Sequence, residues 1–354
     1  MSRRSTRCYS NRRAAGLTLV ELMVAITIGL IITAAVTQIY VASRTTYTLE
    51  EGLARVQENG RFAVEFLAYD LRMAGYTGCN SKLPATSINN IVAGANESST
   101  MMTGGLRGYR YSGSGGNTVG DWTPSLPAGF FANGEVTPYT DVIVVQYGSP
   151  IDTTLTGNMG TNNANIQITT TAATRMGIQD DDVLMVADCV NADIFRANNV
   201  SSGSGTTTIS HPMSVNTSVN LSKSYTTDAQ LMKLVSHAYY IAPSADSQQP
   251  ALFRKELART GPPVPVELVQ GIEDMRLVYA EDTDSDGVPD IYRAPGSVVN
   301  WINVIGVRMG VLARTPAVTA GQDANPYELA GITVPAKNDN FRRHAFNTTI
   351  QFRN

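Results

Sequence analysis

From Leu17 to Ala42 the chain is almost wholly apolar, and Glu21 is the only charge in that stretch. A run of this length spans ~30 Å of hydrocarbon as a helix. Beyond it, Leu49, Leu53, Val56, Gly60, Ala63, Leu67, Leu71 and Ala74 recur every three or four residues. That spacing is a single stripe on one helix face. Glu50, Glu51, Arg55, Glu58, Arg61, Glu65, Asp70 and Arg72 lie mostly off it. Together the patterns predict one helix from about Leu17 to Ala74, apolar all round in its first half and amphipathic in its second. Gly29, Gly52 and Gly60 are its weak points, where a helix bends or melts. Gly75 and Gly78 are suited to end it, just before Cys79.

The rest of the chain reads as β-structure. Residues 141–147, 183–187, 232–241, 252–257, 266–280, 301–312 and 344–352 are rich in β-branched and aromatic side chains. In the last of these, Phe346, Thr348, Ile350 and Phe352 alternate onto one face. Gly, Ser, Asn and Thr dominate residues 96–117, 152–174 and 198–220, which are expected to be long surface loops. No internal repeat is present. The architecture expected is α+β: a long N-terminal helix, its first half membrane-spanning, packed by its second half on an antiparallel β-sheet domain with long loops.

Arg3, Arg4, Arg7, Arg12 and Arg13 precede Gly16 with no acidic residue among them. Such a leader keeps the N-terminus cytoplasmic. A conventional secretory signal fits less well, because the apolar run exceeds the usual ~7–15 residues. Neither arginine pair has the following Phe-Leu of a twin-arginine signal. A plain signal anchor would share the leader and the run. It would have no use for Glu21, whose carboxylate costs several kcal/mol in hydrocarbon unless it finds a partner.

The segment Gly16-Leu17-Thr18-Leu19-Val20-Glu21 resembles the class III signal of type IV pilins and pseudopilins. That resemblance implies a prepilin peptidase that cuts between Gly16 and Leu17 and methylates the new N-terminus. Glu21 would then stand five positions into the mature chain. Leu17 replaces the Phe commonest in pilins and keeps the position apolar.

Three further segments narrow the resemblance to the PilW family of minor pilins. They are Ala74-Gly75-Tyr76-Thr77-Gly78-Cys79, residues 188–195 (DCVNADIF), and residues 271–279 (GIEDMRLVY) followed by an Asp-rich loop. The family implies a pilin-like lollipop: leader at 1–16, hydrophobic helix at 17–42, amphipathic helix at 43–76, and a periplasmic or extracellular β-rich domain at 77–354. It implies a structural, non-enzymatic role in initiating a type IV pilus, near whose tip the chain is incorporated. Glu21 would neutralise an N-terminal amine, its own or a neighbour's, which is far cheaper than burying it alone. The implied partners are the inner membrane, other minor pilins, the major pilin and a tip adhesin. Before assembly the C-terminal domain would be periplasmic, and afterwards part of an extracellular fibre. A J-type minor pseudopilin of a type II secretion system shares signal, helix and β-domain but serves secretion. An anchored periplasmic enzyme or calcium-binding receptor is the rival from another class.

Composition adds two points. Of 27 Lys and Arg against 30 Asp and Glu, five arginines lie in the leader, so the mature chain carries 22 against 30, a net of −8. That argues against general nucleic-acid binding. Cys8 would leave with the leader, and Cys79 and Cys189 remain. Two cysteines in an exported chain read as a disulfide, the alternative being two buried thiols.

Residues 282–290 (DTDSDGVPD) match the front of an EF-hand-type calcium loop. Asp282, Asp284 and Asp286 would supply hard oxygens, Val288 a backbone carbonyl, and Asp290 a direct or water-mediated ligand, with Gly287 making the turn. A complete loop ends on Glu at its twelfth position, and Arg293 stands there. The alternative is a solvated acidic turn without Ca2+. Catalytic signatures are absent. His211, His237 and His344 lack metal-ligand spacing, Asp180-Asp181-Asp182 marks a loop, and Trp122 and Trp301 read as packing anchors.

Overall fold

The computed structural model describes residues 16, 18–79, 83–94, 103–127, 129–258, 263–319 and 321–352. Leu17 and the arginine leader lie outside them. One helix runs unbroken from Leu19 to Met73. No proline precedes Pro84, and the helix stops where Gly75 takes a left-handed φ of +77°, which L side chains avoid. The chain divides into two compact units, Met1–Glu51 and Gly52–Asn354.

In the first unit the side chains of residues 18–48 are exposed. In the second, the helix buries Gly52, Val56, Gly60, Ala63, Leu67, Ala68, Asp70 and Leu71. The predicted stripe therefore holds from Val56 to Ala74, while Leu53 is exposed and Gly52 takes its place. The expected weak points in this unit are instead contact points. A Cβ on Gly60 would lie 2.0 Å from Phe346 Cε2, and one on Gly52 would lie 3.2 Å from Thr315 Cγ2. Glycine at these positions lets helix and sheet approach, and the helix continues through both.

Two sheets receive the helix. The larger has nine strands, with Gln230–Pro243 at its centre. Along one edge that strand pairs with Asp141–Thr154, and along the other with Val183–Ala187 and then Pro250–Glu256. Leu106–Tyr111 extends the sheet beyond Asp141–Thr154, and Ala192–Arg196 beyond Val183–Ala187. Pairing is antiparallel except for Ile88–Asn90 beside Ala192–Arg196. The smaller sheet is ordered Ile291–Arg293, Ile272–Glu281, Val304–Arg314, Arg343–Gln351, all antiparallel. The expected single strand over 266–280 is divided at Gly271, whose φ of +77° carries the chain from one sheet to the other.

The main core lies between the helix and both sheets. Val56, Ala63, Leu67 and Leu71 meet Ile143, Val145, Tyr239 and Ile241 of the larger sheet and Leu277, Val307, Met309 and Val311 of the smaller. Leu67 and Leu71 are fully buried, each contributing about 1.5–3 kcal/mol. Phe346 and Ile350 of the last strand join this core, as their alternation predicts. A second core forms where Ile166–Thr169, Asn198–Gly203 and Thr206–Ser210 make a small sheet beside the helix Thr170–Met176. The tracts expected to be loops thus contain four strands and a helix. Trp122 and Trp301 are buried packing residues, as expected.

Candidate functional site

The helix begins on a reciprocal pair. The Thr18 amide and hydroxyl both donate to Glu21 Oε2 at 2.9 Å, and the Glu21 amide donates to Thr18 Oγ1 at 3.3 Å. This is a capping box, which satisfies amides that the first helical turn leaves without partners. The T-x-x-E spacing announces it, although sequence reasoning attended only to the carboxylate. The pair begins at the residue that follows Leu17. Gly16 is exposed, and a Cβ added to it would meet no heavy atom within 4 Å. Leu17 itself lies outside the described residues. Past Glu21, Leu22, Val24, Ile28, Ile31, Ile39 and their neighbours are all exposed. Among the described residues this helix alone is long and apolar enough to cross a membrane.

At its other end the helix is fastened by polar contacts that sequence reasoning missed. Asp70 is buried, and Tyr147 and Tyr239 donate their hydroxyls to it at 2.7 Å. His237 Nδ1 donates to Asp70 Oδ2 at 2.6 Å, while its Nε2 meets Glu256 Oε2 at 2.9 Å. Burial works against the charged imidazole, but hydrogen bonds and charge from Asp70 and Glu256 outweigh it and push His237 up to about 9. Asp70 moves the other way. Burial would raise it, yet the hydrogen bond and charge of His237, then the two tyrosines, hold it below the ordinary carboxylate range. The usable signal was the alternation of Val235, His237, Tyr239 and Ile241 on one inward face.

Just beyond the helix, Cys79 is bonded to Cys189 across 110 residues. Cys189 sits in the turn between Val183–Ala187 and Ala192–Arg196, where Asp188 accepts the Val190 and Asn191 amides. Gly148 N donates to the Tyr76 carbonyl, and Gly75 N donates to the Gln146 carbonyl. The helix terminus is therefore tied to the larger sheet by backbone and sulfur alike.

The acidic loop brings together part of the predicted ligand set. Carboxylate oxygens of Asp282, Asp284 and Asp290 lie within 4.8 Å of one another. Asp282 is buried and accepts the Ser285, Asp286 and Gly287 amides, which wraps the turn around it. Gly287 and Ser285 both have positive φ. Asp290 accepts the Thr283 amide and hydroxyl, which lowers its pKa. On Asp284 the Asp286 amide pulls down, but desolvation and repulsion from Asp286, Asp290 and Asp282 leave it raised. Asp286 is outside the converging group, its Oδ1 accepting the Val288 amide, and Val288 is exposed. Arg293 pairs with Glu281 at 2.7 Å. Three converging carboxylates around a glycine turn fit a hard cation such as Ca2+, with fewer ligands than the motif implies.

Comparison with known proteins agrees with both ends of the chain. Residues 11–37 match the prokaryotic N-terminal methylation motif. Residues 238–354 match the family described as Type IV Pilus-assembly protein W. A type IV-like pilin from Thermus thermophilus aligns with 84% of this chain and 95% of its own at 12% identity, with a TM-score of 0.34. No curated protein matches in sequence. A methylation motif on an exposed apolar helix, followed by an antiparallel-rich β-domain, defines a membrane-anchored, pilin-like protein with a class III signal. The C-terminal third of the chain is thus similar to the pilus-assembly family W, and its N-terminus to the methylation motif.

Proposed function

We infer that this chain helps initiate assembly of a type IV pilus and is incorporated near the fibre tip. The observation that carries the reading is the helix Leu19–Met73, whose first half exposes its apolar side chains and starts on the Thr18–Glu21 pair. Such a surface is stable in a bilayer or in a bundle of similar helices. Prepilin peptidase would release an amine at Leu17, beside the carboxylate that the capping box holds. In the inner membrane that pair lies at the cytoplasmic end, with the β-domain in the periplasm. In the fibre, Glu21 neutralises its own amine or a neighbour's, and a misregistered helix would bury both charges unpaired. Its neighbours there are other minor pilins, the major pilin and a tip adhesin.

The acidic loop is part of the same reading, as a calcium site held by Asp282, Asp284 and Asp290. Support comes from their convergence around Gly287. A bound cation would relieve the repulsion among carboxylates and fix the loop.

The test joins N-terminal mass spectrometry of the extracted protein to pilus counts in a deletion strain. The expected results are an N-methylated Leu17 terminus and loss of pili restored by the wild-type chain. An intact Met1 terminus would overturn the processing. Normal piliation with loss of protein secretion would assign the chain to a secretion system instead.

A further inference from the structure

One face of the helix stays open beside the larger sheet. Phe62, Phe66 and Tyr69, spaced by four and three residues, are 39%, 42% and 57% exposed. Three large aromatic side chains within two turns form a patch of the kind that marks a binding surface. With Tyr147, His237, Tyr239 and Arg254 of the sheet they line a groove of about 600 Å³, a size suited to a small ligand. The groove floor is already satisfied, because the Tyr147 and Tyr239 hydroxyls and His237 Nδ1 all donate to Asp70.

Two polar side chains in the lining remain available. Arg254 reaches the Tyr239 hydroxyl, and Glu65 is exposed on the helix. Neither has an ion-pair partner among the described residues. One is a planar donor and the other an acceptor. With Asp70 and protonated His237 the lining carries no net charge, so it favours a neutral occupant that both donates and accepts and also presents an apolar plane.

The geometry points to a saccharide site, in which a neutral pyranose chain lies on Phe62, Phe66 and Tyr69 and hydrogen-bonds Arg254 and Glu65. The C–H face of a pyranose carries partial positive charge and suits the negative face of an aromatic ring. Its hydroxyls donate to Glu65 and accept from Arg254. A charged ligand would meet repulsion from one of the two, and a purely apolar one would leave both without partners. The site is independent of the assembly role, and either can fail without the other.

The test uses the full chain in lauryldimethylamine oxide micelles, a detergent without a sugar headgroup. Cellotetraose, maltotetraose and tetra-N-acetylchitotetraose are the probes, read by saturation-transfer NMR and calorimetry. At least one should bind with a dissociation constant of about 1 mM or below. The Phe66→Ala and Arg254→Gln variants should each weaken it about tenfold or more, while Tyr292→Ala, at a distant exposed aromatic, should not. The ranking of probes separates N-acetylated from unsubstituted glycans. Absence of binding to all three at about 10 mM overturns the site. So does binding unchanged by both variants. Binding of N-acetyl-tryptophan amide without any saccharide would make the groove a protein-docking surface and overturn it equally.

Discussion

His237 Nδ1 on the central strand donates to Asp70 Oδ2 on the helix at 2.6 Å, so the helix is joined to the sheet by a buried charge pair as well as by apolar packing. Glu256 takes the other ring nitrogen. Both nitrogens can donate only when the ring is protonated, which agrees with a His237 pKa raised to about 9.

That pair predicts an alkaline limit to stability. The folded value lies above the ordinary 6.5, so the stabilisation is complete below that pH and is lost as pH rises through about 9. The shift corresponds to roughly 3 kcal/mol. Asp70, held low, acts oppositely, and its contribution disappears as pH falls through its depressed value. Thermal melts of the full chain in detergent across this range should show the alkaline decline, and His237→Gln should abolish it. Asp70→Asn should cost about 1–3 kcal/mol by removing one of the imidazolium's two carboxylate partners, with Glu256 left as the other.

Gly60 tests the close approach of helix and sheet. On an isolated helix Gly60→Ala would gain up to about 1 kcal/mol. Here the new methyl meets the Phe346 ring, so the substitution should instead destabilise by about 1–3 kcal/mol. Combining it with Phe346→Leu should recover part of the loss. A Gly60→Ala chain that melts higher than wild type would refute the contact.

Thr18→Ala removes half of the capping box and should weaken the first helical turn by about 0.5–2 kcal/mol. Faster amide exchange at residues 19–21 would report it. Glu21→Ala should still be cleaved after Gly16 but enter pili poorly. Pilus counts equal to wild type for both Glu21→Ala and Glu21→Gln would dismiss the pairing role.

The disulfide closes a loop of 110 residues, and its removal should cost about 4–5 kcal/mol in the chain-entropy account. Paired Cys79→Ser and Cys189→Ser substitutions should lower the melting temperature of the full chain. Non-reducing peptide maps of wild type should contain a single Cys79–Cys189 peptide.

Calcium at about 10⁻⁴–10⁻³ M should raise the melting temperature by mass action. Asp284→Ala should remove the gain with little effect on the calcium-free protein, because Asp284 is exposed and outside the core. Magnesium should substitute poorly, since it demands a tighter octahedral shell. Calorimetry without heat at millimolar calcium would leave an acidic turn.

The helix was legible because its period persists through Val56, Ala63, Leu67 and Leu71, all of which face one core. Strands such as Val183–Ala187 were legible as short apolar runs, each residue of which is buried. Leu106–Tyr111 and Thr206–Ser210 were not, because Gly, Arg, Thr and Ser fill their sequences and their neighbours specify the pairing. Thr206–Ser210 buries only Thr207 and Ile209. The pairing of Asp70 with His237 was not legible, for a different reason. Each is an unremarkable polar residue alone, and only the fold brings them together across 167 positions. In the acidic loop, spacing identified the aspartates but not which of them converge, since Asp286 spends its carboxylate on the Val288 amide.

The bond between Cys79 and Cys189 also determines how this chain would stretch. Tension entering through the helix reaches Cys79 and crosses directly to Cys189, bypassing the 110-residue separation between them. Roughly 370 Å of contour is thereby withheld from extension. Strands Leu106–Tyr111, Asp141–Thr154 and Val183–Ala187 lie inside the shielded stretch. An oxidised chain is short and stiff under load, and a reduced one has that hidden length to pay out.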